Sequence, residues 1–360
     1  MSNNKGNRSL KDFAGEIRRY YNALRIFRFF INHPYVYLPL IRNSIFPDSK
    51  GEKFRKPRNI VLKLTSDCNA RCIFCYARRE PKNNTESLGL KEWKDVIRQA
   101  KDMGCYTVTL SGGEPTLVSY LLELVSFSRK MGMLVFTTTN GISVTENMLR
   151  DLESSGLCAL NWSIHGPEES HDSFVGIKGS FMATLRMGEY CARHTKLICI
   201  VNHVLTKESI RNNWYSLIWD QMHELGFRAL NLLPVCMSAP DKSCLLDNKD
   251  LEVYDSLLKK EYVLSDTKNY IKPLCPAARD DLLVNNFGYV QPCPFIPISF
   301  GNIKERKLSD IFSAMQKHSI FNEEKNICIA ARDNVFIDNY LMPVFNRNSL
   351  PSDIKEVYPA

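Results

Sequence analysis

Three cysteines fall within eight positions, Cys68-Asn-Ala-Arg-Cys72-Ile-Phe-Cys75, with the spacing C-x3-C-x2-C. Thiolates this close on one tight loop can face a single metal centre, and soft sulfur donors select zinc or iron–sulfur clusters. A structural zinc site normally closes with a fourth protein ligand, and no fourth Cys or His follows in this loop. The set is one ligand short, so one coordination position is open to a small molecule. The competing reading is a zinc knuckle in a chain that serves as an interaction module.

A second set lies near the other end. Cys275 is followed by twelve residues, then Gly288 and, after four more, Cys293, with Cys328 farther on. A hairpin is expected between Cys275 and Cys293 over 282–290, and a helix from Leu308. Cys236 and Cys244 follow the last expected core strand, where either thiol could give up a hydrogen atom; a packing cysteine is the plainer reading.

With aromatic Phe74 before its last cysteine, the first loop resembles the signature of radical SAM enzymes. The resemblance implies that Cys68, Cys72 and Cys75 hold a [4Fe–4S] cluster whose unique iron is chelated by S-adenosylmethionine. It implies reductive cleavage of that cofactor to methionine and a 5′-deoxyadenosyl radical, which abstracts hydrogen from an unactivated C–H bond. Ser111-Gly112-Gly113-Glu114-Pro115 is similar to the family's GGEP turn, which holds the SAM amino group. Thr137-Thr138-Thr139-Asn140-Gly141, Ser163-Ile164-His165-Gly166 and Asn202 sit where the family contacts SAM and substrate. By this resemblance Phe74, Tyr76, Gly112, Gly113, Glu114, Thr138, Asn140, Ser163, His165 and Asn202 are cofactor-binding. A stretch from His171 to Phe181 resembles another family segment, except that Val175 replaces the usual Arg; Lys178 is the candidate substitute. Cys275, Cys293 and Cys328 resemble the ligands of a twitch or SPASM-like extension with an auxiliary [4Fe–4S] cluster, and Asp333 or Cys244 could complete it.

Elements must carry these residues. Strands are expected at 59–65, 106–110, 134–138, 159–164, 197–201 and 229–233, and helices at 91–103, 119–131, 145–155, 180–194 and 207–225. Short β-rich runs separated by amphipathic helices imply parallel strands with right-handed crossovers. Six βα units are too few to close an eight-fold barrel. Periodicity leaves both an open partial barrel and a doubly wound sheet; in either, the site lies at the C-terminal strand ends. The resemblance selects an α/β fold, a partial (β/α)6 TIM-like barrel. The expected organisation is an N-terminal helical arm and linker (1–58), the core (59–235), a connection (236–274) with a helix near 250–264, and an iron–sulfur extension and tail (275–360).

Charge is unevenly placed. Residues 1–60 hold 13 Lys and Arg against 4 Asp and Glu, while the whole chain is only +8. Basicity therefore belongs to the N-terminal arm, which argues against a nucleic-acid footprint over the whole protein. Residues 10–32 read as an amphipathic helix and 34–47 as an apolar, proline-punctuated arm. Together, 10–46 could pack on the barrel or lie on a membrane surface. Twelve cysteines with metal-type spacing fit a reducing cytoplasm better than a disulfide scaffold. The expected location is cytoplasmic, with a peripheral inner-membrane contact through the arm as the variant.

The implied partners are a small-molecule, peptide or lipid substrate and an electron donor such as flavodoxin or ferredoxin. Oxidation assisted by the auxiliary cluster, as in peptide maturation or alcohol dehydrogenation, ranks first. Epimerisation with a Cys donor and modification of a lipid or isoprenoid follow.

Overall fold

The structure is a computed structural model. It describes residues 56–79, 86–238, 241–265, 274–321, 323–347 and 350–358. The helix expected at 10–32 and the arm at 34–47 lie outside the described residues.

Six βα steps and a short seventh strand build the core: β1 (Asn59–Lys63), α1 (Leu90–Asp102), β2 (Thr107–Ser111), α2 (Leu121–Lys130), β3 (Leu134–Thr139), α3 (Glu146–Ser154), β4 (Ala159–Ser163), α4 (Glu168–Val175), α5 (Ser180–His194), β5 (Ile198–Leu205), α6 (Lys207–Arg211), α7 (Trp214–Glu224), β6 (Ala229–Pro234), α8 (Asn248–Leu257) and β7 (Val263–Leu264). The extension adds β8 (Asp281–Val284), β9 (Val290–Gln291), β10 (Ile298–Ser299), α9 (Leu308–Lys317) and β11 (Ser352–Asp353). The main sheet runs β7-β6-β5-β4-β3-β2-β1-β8-β9. All its neighbours are parallel except the β8–β9 hairpin. This is the partial TIM-like barrel, not the doubly wound alternative: the strand order follows the chain from β1 to β7, without the reversal a doubly wound sheet needs.

Alternation along each strand sorts side chains onto two faces. Outward residues such as Ile60, Leu62, Val108, Val135, Leu160, Trp162 and Val201 join the helices in the large core. α1 meets them with Trp93, Val96, Ile97 and Ala100, all buried on one stripe. Inward, Leu134, Ala159, Ile198, Ile200 and Ala229 form a separate apolar cluster at the barrel floor. Burying several such side chains at roughly 1.5–3 kcal/mol each fixes the strand register.

Three expectations change. The helix expected at 207–225 breaks into α6 and α7, because Asn213 adopts a left-handed φ of 54°. The helix expected near 250–264 stops at Leu257, and Val263–Leu264 instead pairs with β6 as an edge strand. The linker expected to end at 58 is tied to the extension there: the Arg58 N–H donates to Asp280 O at 2.8 Å. No described helix is long and apolar enough to cross a membrane.

Candidate iron–sulfur and cofactor site

The first cysteine loop leaves β1 and is held on two sides by main-chain bonds. Arg71 N–H donates to Val175 O (2.8 Å) and Ile73 N–H to Phe174 O (3.0 Å), which docks the loop on the C-terminus of α4. Gly113 N–H donates to Thr65 O (2.7 Å) and Glu114 N–H to Asp67 O (2.8 Å), which docks its start on the turn after β2. The two glycines are needed for that second contact. A Cβ on Gly113 would lie 2.1 Å from Asp67 O, and one on Gly112 would lie 2.8 Å from Thr65 O. The backbone these two glycines approach is that of the cysteine loop.

Glu114 is 1% exposed. Its Oε1 accepts from Thr116 N–H (3.1 Å), Thr116 Oγ1 (2.7 Å) and Thr139 Oγ1 (2.9 Å), and its Oε2 from Asn140 N–H (2.8 Å). Burial pushes its carboxyl up, and the donated hydrogen bonds pull it back. The side chain is a brace between the turns after β2 and β3, and its four donors are all protein groups.

Of the loop sulfurs, Cys68 is exposed and Cys72 and Cys75 are half-buried. Burial of part of the Cys68 side chain pushes its thiol up, the Ala70 N–H at 3.4 Å pulls it down, and Cys75 is close enough to raise it again. Among the described residues no three Cys, His, Asp or Glu converge as they would on one metal ion. A four-iron cube is wider than an ion, so its ligands need not point at a common centre. Three reduced cysteines on one loop, with an amide N–H2 and a backbone N–H directed at one sulfur, suit an iron–sulfur cluster.

Phe74 turns inward and meets His165 edge to face, centroids 4.7 Å apart, and Phe174 at 5.9 Å. His165 is buried, and its Nδ1 accepts from Val204 N–H (3.2 Å). It stands among His171 and His203, and burial lowers all three. Tyr76 reaches Ser111 Oγ with its hydroxyl (3.2 Å) and Phe295 with its ring.

Above the apolar floor, Thr138, Asn161, Ser163, Asn202 and Asn231 form a half-buried polar collar. Thr138 stands beside Asn161, Ser163 beside Asn202, and Asn202 beside Asn231. Asn231 Nδ2 donates to Asn202 Oδ1 (2.8 Å), and Asn231 Oδ1 is buried without a partner. An acceptor left in that state costs about 1–3 kcal/mol, which a ligand donor would recover. Asn161 and Asn231 are missing from the expected site. Their signal is the repeated Ala-Leu-Asn at 159–161 and 229–231.

Cys236 is buried and directed at Pro234 O (3.6 Å), while Cys244 is half-buried near Asp241 O (3.5 Å). Lys178 is exposed, and Val175 is buried. Asp333 caps the turn at Phe336 and pairs with Lys325 at 3.6 Å.

The second cysteine set is gathered by backbone. Cys275 N–H donates to Lys325 O (2.8 Å), three residues before Cys328. Ala278 N–H donates to Pro292 O (3.3 Å), the neighbour of Cys293. Cys275 and Cys293 are buried, Cys328 half-buried, and no disulfide joins any of the twelve cysteines.

Comparison with known proteins agrees with this geometry. The family described as the radical SAM superfamily matches residues 62–212, and the SPASM iron–sulfur cluster-binding domain matches 275–332. The chain thus carries a radical SAM domain over residues 62–212 and a C-terminal SPASM domain over 275–332. It is accordingly an enzyme whose cofactors are S-adenosylmethionine, the [4Fe–4S] cluster of the core and auxiliary iron–sulfur in the extension. Fe-coproporphyrin III synthase of Methanosarcina barkeri is 27% identical over 225 residues, covering 62% of this chain and 55% of that protein. The chain thus matches little more than half of that relative's length. PqqA peptide cyclase of Rhizobium meliloti is 27% identical over 282 residues, covering 71% of this chain and 73% of that one. Streptococcus suis SuiB bound to S-adenosylmethionine shares the fold with a TM-score of 0.59 at 18% identity, covering 78% of this chain and 71% of SuiB. SuiB bound to its precursor peptide SuiA gives 0.57 at 16% identity, covering 88% and 75%.

Proposed function

We propose that this enzyme matures a peptide by oxidative radical chemistry. The observation that carries the reading is the meeting of the two cysteine regions through Tyr76 and Phe295. A substrate held beside that pair would stand where the two regions meet. The peptide class is supported by the likeness to PqqA peptide cyclase and to SuiB with its precursor peptide.

When bound, the cofactors supply a carbon-centred radical that takes hydrogen from an unactivated C–H bond, and an acceptor for the electron left behind. Cys68, Cys72 and Cys75 would hold the first cluster, and Cys275, Cys293 and Cys328 the auxiliary one. The polar collar would orient the cofactor. The apolar floor keeps water from below, and Phe74 with its neighbours seals the side toward α4. A dry, fixed site protects a reactive species from solvent and from the protein.

A second reading, action on a porphyrin, is favoured by the likeness to Fe-coproporphyrin III synthase. Anaerobic incubation with SAM, dithionite and peptides encoded beside the gene tests the proposal. Loss of two hydrogens from a peptide supports it. Deuterium uptake from heavy water without mass loss indicates epimerisation, which would place Cys236 or Cys244 in the reaction, and turnover of a porphyrin or an isoprenoid only would overturn it. Cys72→Ala should abolish 5′-deoxyadenosine formation. Formation at the wild-type rate would refute the radical assignment.

A further inference from the structure

We infer that Asn140 is a positioning residue that donates a hydrogen bond to the Cys68 sulfur and raises the reduction potential of the cluster carried there. Asn140 Nδ2 lies 3.7 Å from Cys68 Sγ and 2.7 Å from Asn69 Oδ1. An amide has two hydrogens on that nitrogen, one for each acceptor. Which end of the amide is nitrogen is settled by the fold: Ile142 N–H donates to Asn140 Oδ1 at 3.0 Å, so the oxygen must face Ile142. Asn69 is then oriented in turn, with its Oδ1 toward Asn140 and its Nδ2 donating to Ser143 Oγ (2.7 Å).

The donor is held in place before any cluster arrives. Asn140 is 9% exposed. Its N–H donates to Glu114 Oε2 at 2.8 Å, and its carbonyl accepts from Thr184 Oγ1 at 2.5 Å. Three elements therefore fix it: the turn after β2, the turn after β3 and helix α5. A Cβ on neighbouring Gly141 would lie 2.9 Å from Thr184 Cγ2 and 3.0 Å from its Cα, so the backbone at this turn is pressed onto α5 as well.

An N–H directed at a coordinated thiolate stabilises electron density on sulfur. It stabilises the more negative, reduced cluster more than the oxidised one, so it moves the potential upward. The inference requires a cluster on Cys68, Cys72 and Cys75 and nothing about the substrate, so it survives or fails separately from the peptide reading.

The test is a potentiometric titration followed by electron paramagnetic resonance on the reconstituted full chain, using the signal that changes on adding SAM to single out the core cluster. Asn140→Leu keeps the shape and removes the donor; its midpoint should fall below that of wild type at equal iron and sulfide content. Asn140→Asp places a carboxylate beside the sulfur and should fall further. Asn69→Ala loosens the same link between loops but leaves the sulfur donor, and its midpoint should stay at the wild-type value. An unchanged midpoint in Asn140→Leu overturns the inference, as does an equal fall in Asn69→Ala. If Asn140→Leu assembles no cluster, wild-type protein carrying asparagine isotopically labelled at its side-chain nitrogen decides. A hyperfine coupling from that nitrogen in the reduced cluster supports the bond, and its absence overturns it.

Discussion

The ring of Tyr76, one residue beyond Cys75, meets the ring of Phe295, two residues beyond Cys293, edge to face with centroids 5.8 Å apart. The two cysteine regions, more than two hundred residues apart in sequence, thus touch through an aromatic pair as well as through the hydrogen bond from Ser66 Oγ to Asn286 Oδ1 (3.1 Å). Edge-to-face pairs contribute about 0.5–1.5 kcal/mol beyond their burial. A double-mutant cycle of Tyr76→Leu and Phe295→Ala, read by anaerobic urea unfolding, should show a coupling of about 1 kcal/mol. Strict additivity would mean that this pair carries no coupling energy.

Gly113→Ala should dismantle the first cluster site. The added methyl would meet backbone at 2.1 Å, and backbone cannot turn aside as a side chain can. Iron content after reconstitution should drop toward that of a protein loaded only in the extension. Gly89→Ala is the control, because its Cβ meets nothing nearer than Glu92 Oε2 at 3.7 Å.

Glu114→Gln replaces an acceptor of four hydrogen bonds with an amide that must turn an N–H2 toward donors. The expected loss is about 2–3 kcal/mol, visible as a lower denaturant midpoint. Glu114→Asp keeps the charge but is too short to span both turns and should also lose stability. Retention of full stability by the amide would show that the carboxyl is protonated in the fold.

Acid should weaken the protein through its buried histidines. Burial lowers His171 and His203 from 6.5 to about 4 and His165 well below its usual value. The unfolded chain binds these protons more readily. Stability is therefore complete above pH 6.5 and is lost as pH falls from 6.5 toward 4. His203→Gln, which can still bond Ile164 O and Ser209 Oγ, should flatten this slope by up to about 1.4 kcal/mol per pH unit. Denaturant midpoints measured across the window check it, and an unaltered slope would exclude His203 from the effect.

The alternation of strands and helices and the cysteine loops are legible in the sequence because they rest on local signals, whereas the choice of a barrel over a doubly wound sheet comes from the resemblance alone. Strand positions follow from runs such as Tyr106-Thr-Val-Thr-Leu110, and ligand spacing is a property of the chain itself. What escapes is whatever depends on contacts distant in sequence. The role of Glu114 becomes visible only when the turns after β2 and β3 are adjacent, and no periodicity announces that its oxygens face Thr139 and Asn140. Val263–Leu264 reads as helix in the sequence because an apolar pair at the end of a helical stretch fits either pattern; pairing with β6 decides it. Asn161 and Asn231 were hidden because a lone polar residue in a strand has no meaning until alternation assigns it to the lumen.

β8 lies in register beside β1, Leu62 opposite Val284, although about 220 residues separate them in the chain. During synthesis β1 therefore waits with an unpaired edge until most of the protein has left the ribosome. Unpaired edges invite pairing with other chains, and contacts this distant form slowly. A truncation before residue 281 would leave that edge open for good. The extension is thus the lateral seal of the core sheet as well as a carrier of metal, and the core expressed without it should accumulate as aggregate.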